Sequence, residues 1–250
     1  IIWEGLAEKK ILNLIIKNLK FNPKNFSCVD VGANIGNHSV FFSKYFSKVI
    51  SFEPQNEVFK VLKLNTEKRE NISIHNFGIS KNNNNNVVIR IPKNKRGMGS
   101  INFELNDYEY FEEKIELKNY DDLFKNEVSL IKIDVEGSEL DVINGMLDTI
   151  DKYKPVICFE YNPYENGNIR NTQIIDLLEK MNYDNFYVLN SHFIEKLIHG
   201  KHLIKRFIRL ISKILFPYPK KELINYDKSD NRGHNLIIAF SSSSKFKLFS

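Results

Sequence analysis

The sequence predicts an α/β protein with a Rossmann-like, mostly parallel sheet of seven strands, helices on both faces and a terminal antiparallel strand pair. Three observations predict it. Phe26 to Gly36, FSCVDVGANIG, is a short apolar run rich in β-formers that stops at glycines and is followed by apolar residues at helical spacing. Lys48 to Pro54, KVISFEP, is a second such run that ends in Glu53 roughly 20 residues beyond the glycines. Strands and helical stretches then alternate until two late strands, Asn185 to Leu189 and His234 to Phe240, close the chain without an ordinary helical crossover.

Taken in order, Gly5 to Leu19 carries Leu6, Ile11, Leu12, Ile15, Ile16 and Leu19 at helical spacing. This predicts a helix over the sheet edge or the mouth of a ligand site, and Pro23 ends it. Residues 1–25 form this N-terminal segment, and 26–250 a single domain. Gly32 and Gly36 bracket Ala33, Asn34 and Ile35, so the backbone can turn sharply and a ligand can approach it closely. Val40, Phe41, Phe42, Tyr45 and Phe46 make the following helix, and Pro54, which has no amide hydrogen, ends the second strand. Val58 to Leu64 predicts a second covering helix and Asn71 to Phe77 a third strand. Lys81 to Asn86, mostly asparagine, reads as a polar surface loop. Val87 to Ile91 and Ile101 to Leu105 read as short strands about KNKRGMGS, a hairpin inserted at 80–119. Val128 to Ile133 is a strand that runs into the acidic turn Asp134 to Glu139, and Leu140, Val142, Ile143 and Met146 make the next helix. Pro155 to Phe159 is a strand ending at Glu160, Tyr161, Asn162 and Pro163, and Ile174 to Met181 is a helix.

Hydrophobic residues at 42% and charged residues at 27% are ordinary for a globular domain. The net charge of +5 is unevenly placed. Ser191 to Lys221 holds eight Lys or Arg against Glu195 alone, so that segment carries +7 and the rest of the chain −2. Within it, Leu197, Ile204, Phe207, Ile208, Ile211, Ile214 and Leu215 fall at helical spacing, giving a basic helical insertion at 192–232. Three readings of its 192–215 helix stay open: a helix packed on its own domain with a solvated basic face, one lying on an anionic membrane surface, or a lid gathering an anionic acceptor. No separate nucleic-acid motif accompanies the patch, which argues against RNA or DNA as a partner. Cys28 and Cys158 fall inside core strands and read as buried thiols, which suits a reducing cytoplasm. No signal-peptide pattern is visible, the chain starting at Ile1 rather than Met, and no apolar run reaches the roughly 20 residues of a membrane span. The expected location is cytoplasmic, or peripheral at the inner membrane face if the basic helix binds lipid.

The glycine turn lies between a strand and a helix, and an acid stands at the next strand's tip, which is the context of a nucleoside site. Asp30, just before the glycines, would repel a pyrophosphate but could hold a cation. A ligand such as S-adenosylmethionine, with ammonium and sulfonium charges and no phosphate, fits that better than a dinucleotide.

The combination of VDVGANIG (Val29 to Gly36), SFEP (Ser51 to Pro54), IKIDVEGSEL (Ile131 to Leu140) and FEYN (Phe159 to Asn162) resembles the FkbM-type family of class I S-adenosylmethionine-dependent methyltransferases. The resemblance covers about Phe26 to Leu189. It implies methyl transfer, commonly to a hydroxyl oxygen of a sugar, polysaccharide, glycolipid or secondary metabolite. It also implies that Asp30, Gly32, Asn34 and Gly36 line the methionine and ribose part of the cofactor, that Glu53 takes the ribose hydroxyls, that Phe77 lies against the adenine, and that Asp134 lies next to the sulfonium.

An alcohol needs a base to become a good nucleophile, and Asp134, Glu136 and Glu160 are the carboxylates at strand ends; two close together would raise one pKa. His38, at the start of the helix after the glycines, is a further candidate for base or acceptor contact. Glu136 or Glu139 could equally cap the helix that begins near Gly137. Asp134, Glu160 and Asn162 are oxygen ligands suited to Mg2+, a less favoured reading that leaves the metal question open. A binding module on a degenerate nucleoside fold, acting at a membrane or on a partner, and an NAD-dependent enzyme are the alternatives to a methyltransferase.

Overall fold

In the computed structural model the residues described are 12–92, 109–161, 164–165, 168–169, 172–189, 223–227 and 234–248. Residues 12–18 are helical (α1), and the strands and helices that follow are β1 (Ser27–Val31), α2 (Asn37–Phe42), β2 (Lys48–Phe52), α3 (Asn56–Thr66), β3 (Ile72–His75), β4 (Gly78–Ile79), β5 (Asn84–Pro92), β6 (Tyr110–Lys118), α4 (Tyr120–Leu123), β7 (Val128–Ile133), α5 (Glu139–Asn144), α6 (Leu147–Tyr153), β8 (Val156–Tyr161), β9 (Tyr164–Glu165), β10 (Asn168–Ile169), α7 (Thr172–Lys180), β11 (Asn185–Leu189), β12 (Leu223–Asn225) and β13 (His234–Phe240).

The main sheet runs β12-β11-β13-β8-β7-β1-β2-β3. The pairs from β3 to β8 are all parallel, while β13 runs antiparallel to both β8 and β11. This is the expected mixed α/β sheet with its terminal antiparallel pair, extended by one strand. The additional β12 comes from the stretch expected to be a helical insertion and pairs with the β11 edge; the basic helix expected over 192–215 lies outside the described residues.

Both faces of the sheet are covered, which is why its strands read as continuous apolar runs. On one face Val29, Val31, Ile50, Phe52, Ile131, Ile133 and Phe159 pack with Val142, Ile143 and Met146 and with Ile174 and Leu178 of α7. On the other, Cys28, Val49, Leu130 and Cys158 pack with Leu12 and Ile15 of α1, Phe41 and Phe42 of α2, and Phe246 and Leu248 beyond β13. The N-terminal helix therefore covers a sheet face, rather than the edge or a ligand mouth, because its apolar stripe meets the central strands. Both cysteines are buried free thiols.

The inserted hairpin is a small second sheet, ordered β4-β6-β5. The partner of β5 is β6, with Val87 opposite Ile115 and Ile91 opposite Phe111. The expected partner, Ile101 to Leu105, lies outside the described residues. The asparagine run is not all loop, since Asn84 already pairs with Leu117. The hairpin is tied down by Glu113, whose Oε1 accepts from the Asn56 amide of α3 at 2.7 Å, and by Asn119, which donates to the Lys81 carbonyl at 2.9 Å. Among the described residues no helix is long and apolar enough to cross a membrane.

Candidate active site

The loops beyond the carboxyl ends of β1, β2 and β7 and the inner wall of the hairpin enclose a cavity of about 310 Å3. That is the place where an open α/β sheet binds ligands, and the size is at the lower end for a small-molecule site.

The glycine turn is held from two sides. The amides of Gly32 and Ala33 donate to the Phe52 carbonyl at 3.0 and 2.9 Å. Gly32 has φ +75°, and a Cβ there would stand 1.9 Å from the Asp134 carbonyl oxygen, so only glycine lets β1 leave the sheet beside β7. Asn34 is left-handed at φ 50° and its own Oδ1 accepts from the Ile35 amide at 2.8 Å, a local bond that suits asparagine to this conformation. Glu53 closes the turn from the tip of β2: Oε2 accepts from the Asn34 amide and Oε1 from the Gln55 amide, both at 2.9 Å. Burial pushes its carboxyl up to about 7, against the pull of those two amides.

The acidic turn after β7 is built around a buried cation. Lys132 Nζ lies 3.2 Å from Asp134 Oδ2 and 3.5 Å from Asp30 Oδ1, and donates to the Gly32 carbonyl at 3.3 Å. Asp30 Oδ2 in turn accepts from Ser39 Oγ at 2.6 Å, and Ser39 accepts from Ser51 Oγ at 2.9 Å. Burial alone would push the Lys132 ammonium down, but Asp134 and Asp30 hold it above its ordinary value. The ammonium in turn keeps Asp134 below the usual carboxylate range. Glu136 is left-handed at φ 53°, and Glu139 Oε1 accepts from the Gly137 amide at 3.1 Å. The capping alternative thus describes Glu139, which ties the turn that opens α5. Burial first, then the neighbouring Asp134, Glu136 and Glu139, pushes Glu160 up to about 7.

Of the residues expected at the site, Gly32, Asn34, His38, Glu53, Asp134 and Glu136 line the cavity together. Four do not. Asp30 is fully buried behind the wall, spent on Ser39 and Lys132, so it cannot hold a ligand cation directly. Gly36 packs under α3, where a Cβ would meet Leu62 Cδ1 at 2.7 Å. Phe77 lies against Phe52 and His75 with the Lys118 ammonium over its ring; Gly78, Ile79 and Ser80 are the residues just after it that line the cavity. Glu160 stands at the end of β8, outside the lining. Asn162, the third oxygen ligand considered for Mg2+, lies outside the described residues, among which no three His, Cys, Asp or Glu group to hold a metal ion. Sequence reasoning missed Lys132 and the apolar wall of Ile89, Ile115 and Leu117. A lysine near the end of the largely apolar β7 was the available signal for the first.

A profile of the FkbM methyltransferase domain matches residues 30–184, more than half of the chain. The chain belongs to the FkbM methyltransferase family. It is a methyltransferase, and its cofactor is S-adenosylmethionine. No curated protein sequence matches the chain significantly. Among solved structures it is similar to an FkbM methyltransferase from Methylobacillus flagellatus at 18% identity and a TM-score of 0.45, covering 86% of this chain but only 43% of that one. It is also similar to a Streptococcus mutans protein described as a methyltransferase, in complex with SAH, at 11% identity and a TM-score of 0.46, with 91% and 94% of the two chains covered. A Geobacter metallireducens precorrin-6y C5,15-methyltransferase gives 13% and 0.44, with 93% and 89% covered.

The FkbM site suits a phosphate-free cation. Lys132 is the only lysine or arginine among the described lining residues, and its charge is already met by two carboxylates. A pyrophosphate would find no free cation here, whereas Glu53, Asp134, Glu136 and Asp141 all line the cavity.

Proposed function

We propose that this methyltransferase methylates a hydroxyl oxygen on a sugar, polysaccharide or glycolipid. The observation that carries the reading is the group of carboxylates at the strand ends, Asp134 and Glu136 in the cavity lining and Glu160 at the end of β8 outside it, where burial and those neighbours raise it to about 7, because an alcohol acceptor must lose its proton and a base poised near neutrality is suited to take it. Asp134 is the poorer base, since Lys132 holds it ionised and below its ordinary range. Bound S-adenosylmethionine supplies an electrophilic methyl on a sulfonium. Toward it, Glu53 would hold ribose hydroxyls with the lone pairs its two backbone amides leave, the Gly32 to Asn34 backbone would flank it, and Asp134 would offset the cationic charge. His38, Glu136, Ser138 and Asp141 share the polar side of the cavity and would orient a hydroxyl-rich acceptor by hydrogen bonds.

The test is incubation of the purified protein with isotopically methyl-labelled S-adenosylmethionine and a panel of saccharides and glycolipids, with the labelled position assigned by NMR. A methyl on a sugar oxygen, lost in Glu160→Gln, supports the proposal. Transfer to nitrogen or sulfur acceptors only, or full activity in Glu160→Gln, sinks it.

A further inference from the structure

Lys132 and Asp30 share one row of the sheet. In register, Ser51 of β2 stands beside Asp30 of β1, and Asp30 beside Lys132 of β7, so the three side chains leave the same face. Their exposure decides what they can do. The Asp30 side chain is 0% and the Lys132 side chain 5% exposed, whereas that of Asp134 is 42% exposed. The ammonium and the inner carboxylate are thus sealed in the wall, and of the two carboxylates only the outer one opens toward the cavity.

A lone Lys132 would neutralise Asp134 and leave this part of the wall with no charge to offer a cation. Asp30 meets the ammonium from behind, so the three groups together keep one negative charge, carried on the side that opens. We infer that Asp30 and Lys132 are positioning residues that hold Asp134 in place while the three groups together keep one net negative charge at this part of the cavity wall, and that this charge raises the affinity for S-adenosylmethionine relative to that for its neutral product S-adenosylhomocysteine. The two ligands differ by the methyl group and by one positive charge at sulfur, so the ratio of their affinities reads the wall's charge. Ser39 and Ser51 belong to the device, because the 2.6 Å bond from Ser39 fixes the Asp30 carboxylate toward Lys132.

The experiment is calorimetric binding of both ligands at about pH 8, above the value of about 7 to which Glu53 and Glu160 are each raised in the wild type. His38, Glu136 and Glu139 also stand near Asp134 and are left unchanged. Asp30→Asn keeps the shape and can still accept from Ser39, yet takes the group of Asp30, Lys132 and Asp134 from one negative charge to none. The preference for S-adenosylmethionine over S-adenosylhomocysteine should fall roughly tenfold, ~1.4 kcal/mol. The double substitution Asp30→Asn with Lys132→Met removes both sealed charges and leaves Asp134 alone, so the ratio should return toward that of the wild type. A purely structural role predicts equal weakening of both ligands in the single variant and no recovery in the double. Either of those results overturns the inference. Should Asp30→Asn fail to fold, the double variant, which buries no unpaired charge, becomes the background: its ratio should be like that of the wild type, and adding Asp134→Asn to it should lower the ratio roughly tenfold, whereas a lost preference in the double or an unchanged ratio in the triple overturns the inference. No acceptor is needed, so failure here would leave the O-methylation proposal standing.

Discussion

Gly32 is the position where the largest effect should follow from the smallest change. A methyl placed there by Gly32→Ala would lie 1.9 Å from the Asp134 carbonyl oxygen and 2.9 Å from its carbon, both backbone atoms of the neighbouring strand end. Neither can rotate away, because the Asp134 amide is bonded to the Val31 carbonyl at 3.1 Å. A non-glycine residue at φ +75° costs about 1–2 kcal/mol, and forcing a methyl into a packed site adds about 1–3. With a rigid neighbour the sum belongs near the top of that range, about 4 kcal/mol, which for a chain of this size is roughly 8–16 °C in Tm. Gly36→Ala is the control. Its φ of +91° carries the same backbone cost, but its methyl meets Leu62 Cδ1 at 2.7 Å, the end of a side chain that can move. That change should cost about 1–2 kcal/mol. Thermal unfolding by calorimetry, with urea unfolding alongside, measures both. Equal losses in the two variants, or a Gly32→Ala protein within about 1 kcal/mol of the wild type, would refute the claim that close approach of β1 to Asp134 is what requires glycine.

Glu53, raised to about 7 by burial, contributes stability that is fully present below about 4.5 and is lost as pH rises through about 7; Glu53→Gln should flatten this limb of the stability curve in part, Glu160 acting over the same window. Asp121 accepts from the amides of Asp148 and Thr149 at 2.8 and 3.1 Å and from the Thr149 hydroxyl, capping α6, so Asp121→Ala should cost about 2–4 kcal/mol in urea unfolding while leaving S-adenosylhomocysteine affinity nearly unchanged. Glu113→Ala removes the bond from the hairpin to the Asn56 amide. It should cost about 1 kcal/mol and speed amide exchange at Ile115 and Leu117.

The strands read most directly from the sequence belong to the main sheet, where β1, β2, β7 and β8 are buried almost throughout. Asn185–Leu189 and His234–Phe240 appear with the expected bounds, and β1 and β2 end where Gly32 and Pro54 said they would. The strand β6 was invisible for the opposite reason. YFEEKIELK is mostly exposed, with only Ile115 buried, so its charges look like loop, while its partner β5 was found from Val87, Ile89 and Ile91. The helix expected after the acidic turn divides at Gly145 and Met146 into α5 and α6, a break that apolar spacing alone does not reveal. The site followed the same pattern. Residues on the loops next to the glycines and at strand tips were legible, because the chain direction alone brings them to one rim. Phe77 stays outside the lining while Gly78, Ile79 and Ser80 reach it, since which side of a strand end faces the ligand depends on how the hairpin beyond it folds back.

Asp30 shows what a one-dimensional reading lacks. Its place before the glycines pointed to a cationic ligand, and the cofactor is cationic, yet the carboxylate that reaches the cavity belongs to Asp134, about a hundred residues later. What joins them is lateral register, with Asp30 opposite Lys132. The cost of that arrangement also bears on its purpose. Burying an ammonium costs several kcal/mol unless it is well paired, and replacing a buried ion pair by apolar residues of similar volume is often neutral or stabilising. Stability alone therefore gives little reason for a lysine in a fully buried, largely apolar strand. A reason appears only when the exposed third member is counted, because Asp134 without Lys132 would face the buried Asp30 carboxylate as a like charge and one of the two would take up a proton. The pair in the wall is what allows a carboxylate to stand at the cavity beside another carboxylate and remain charged.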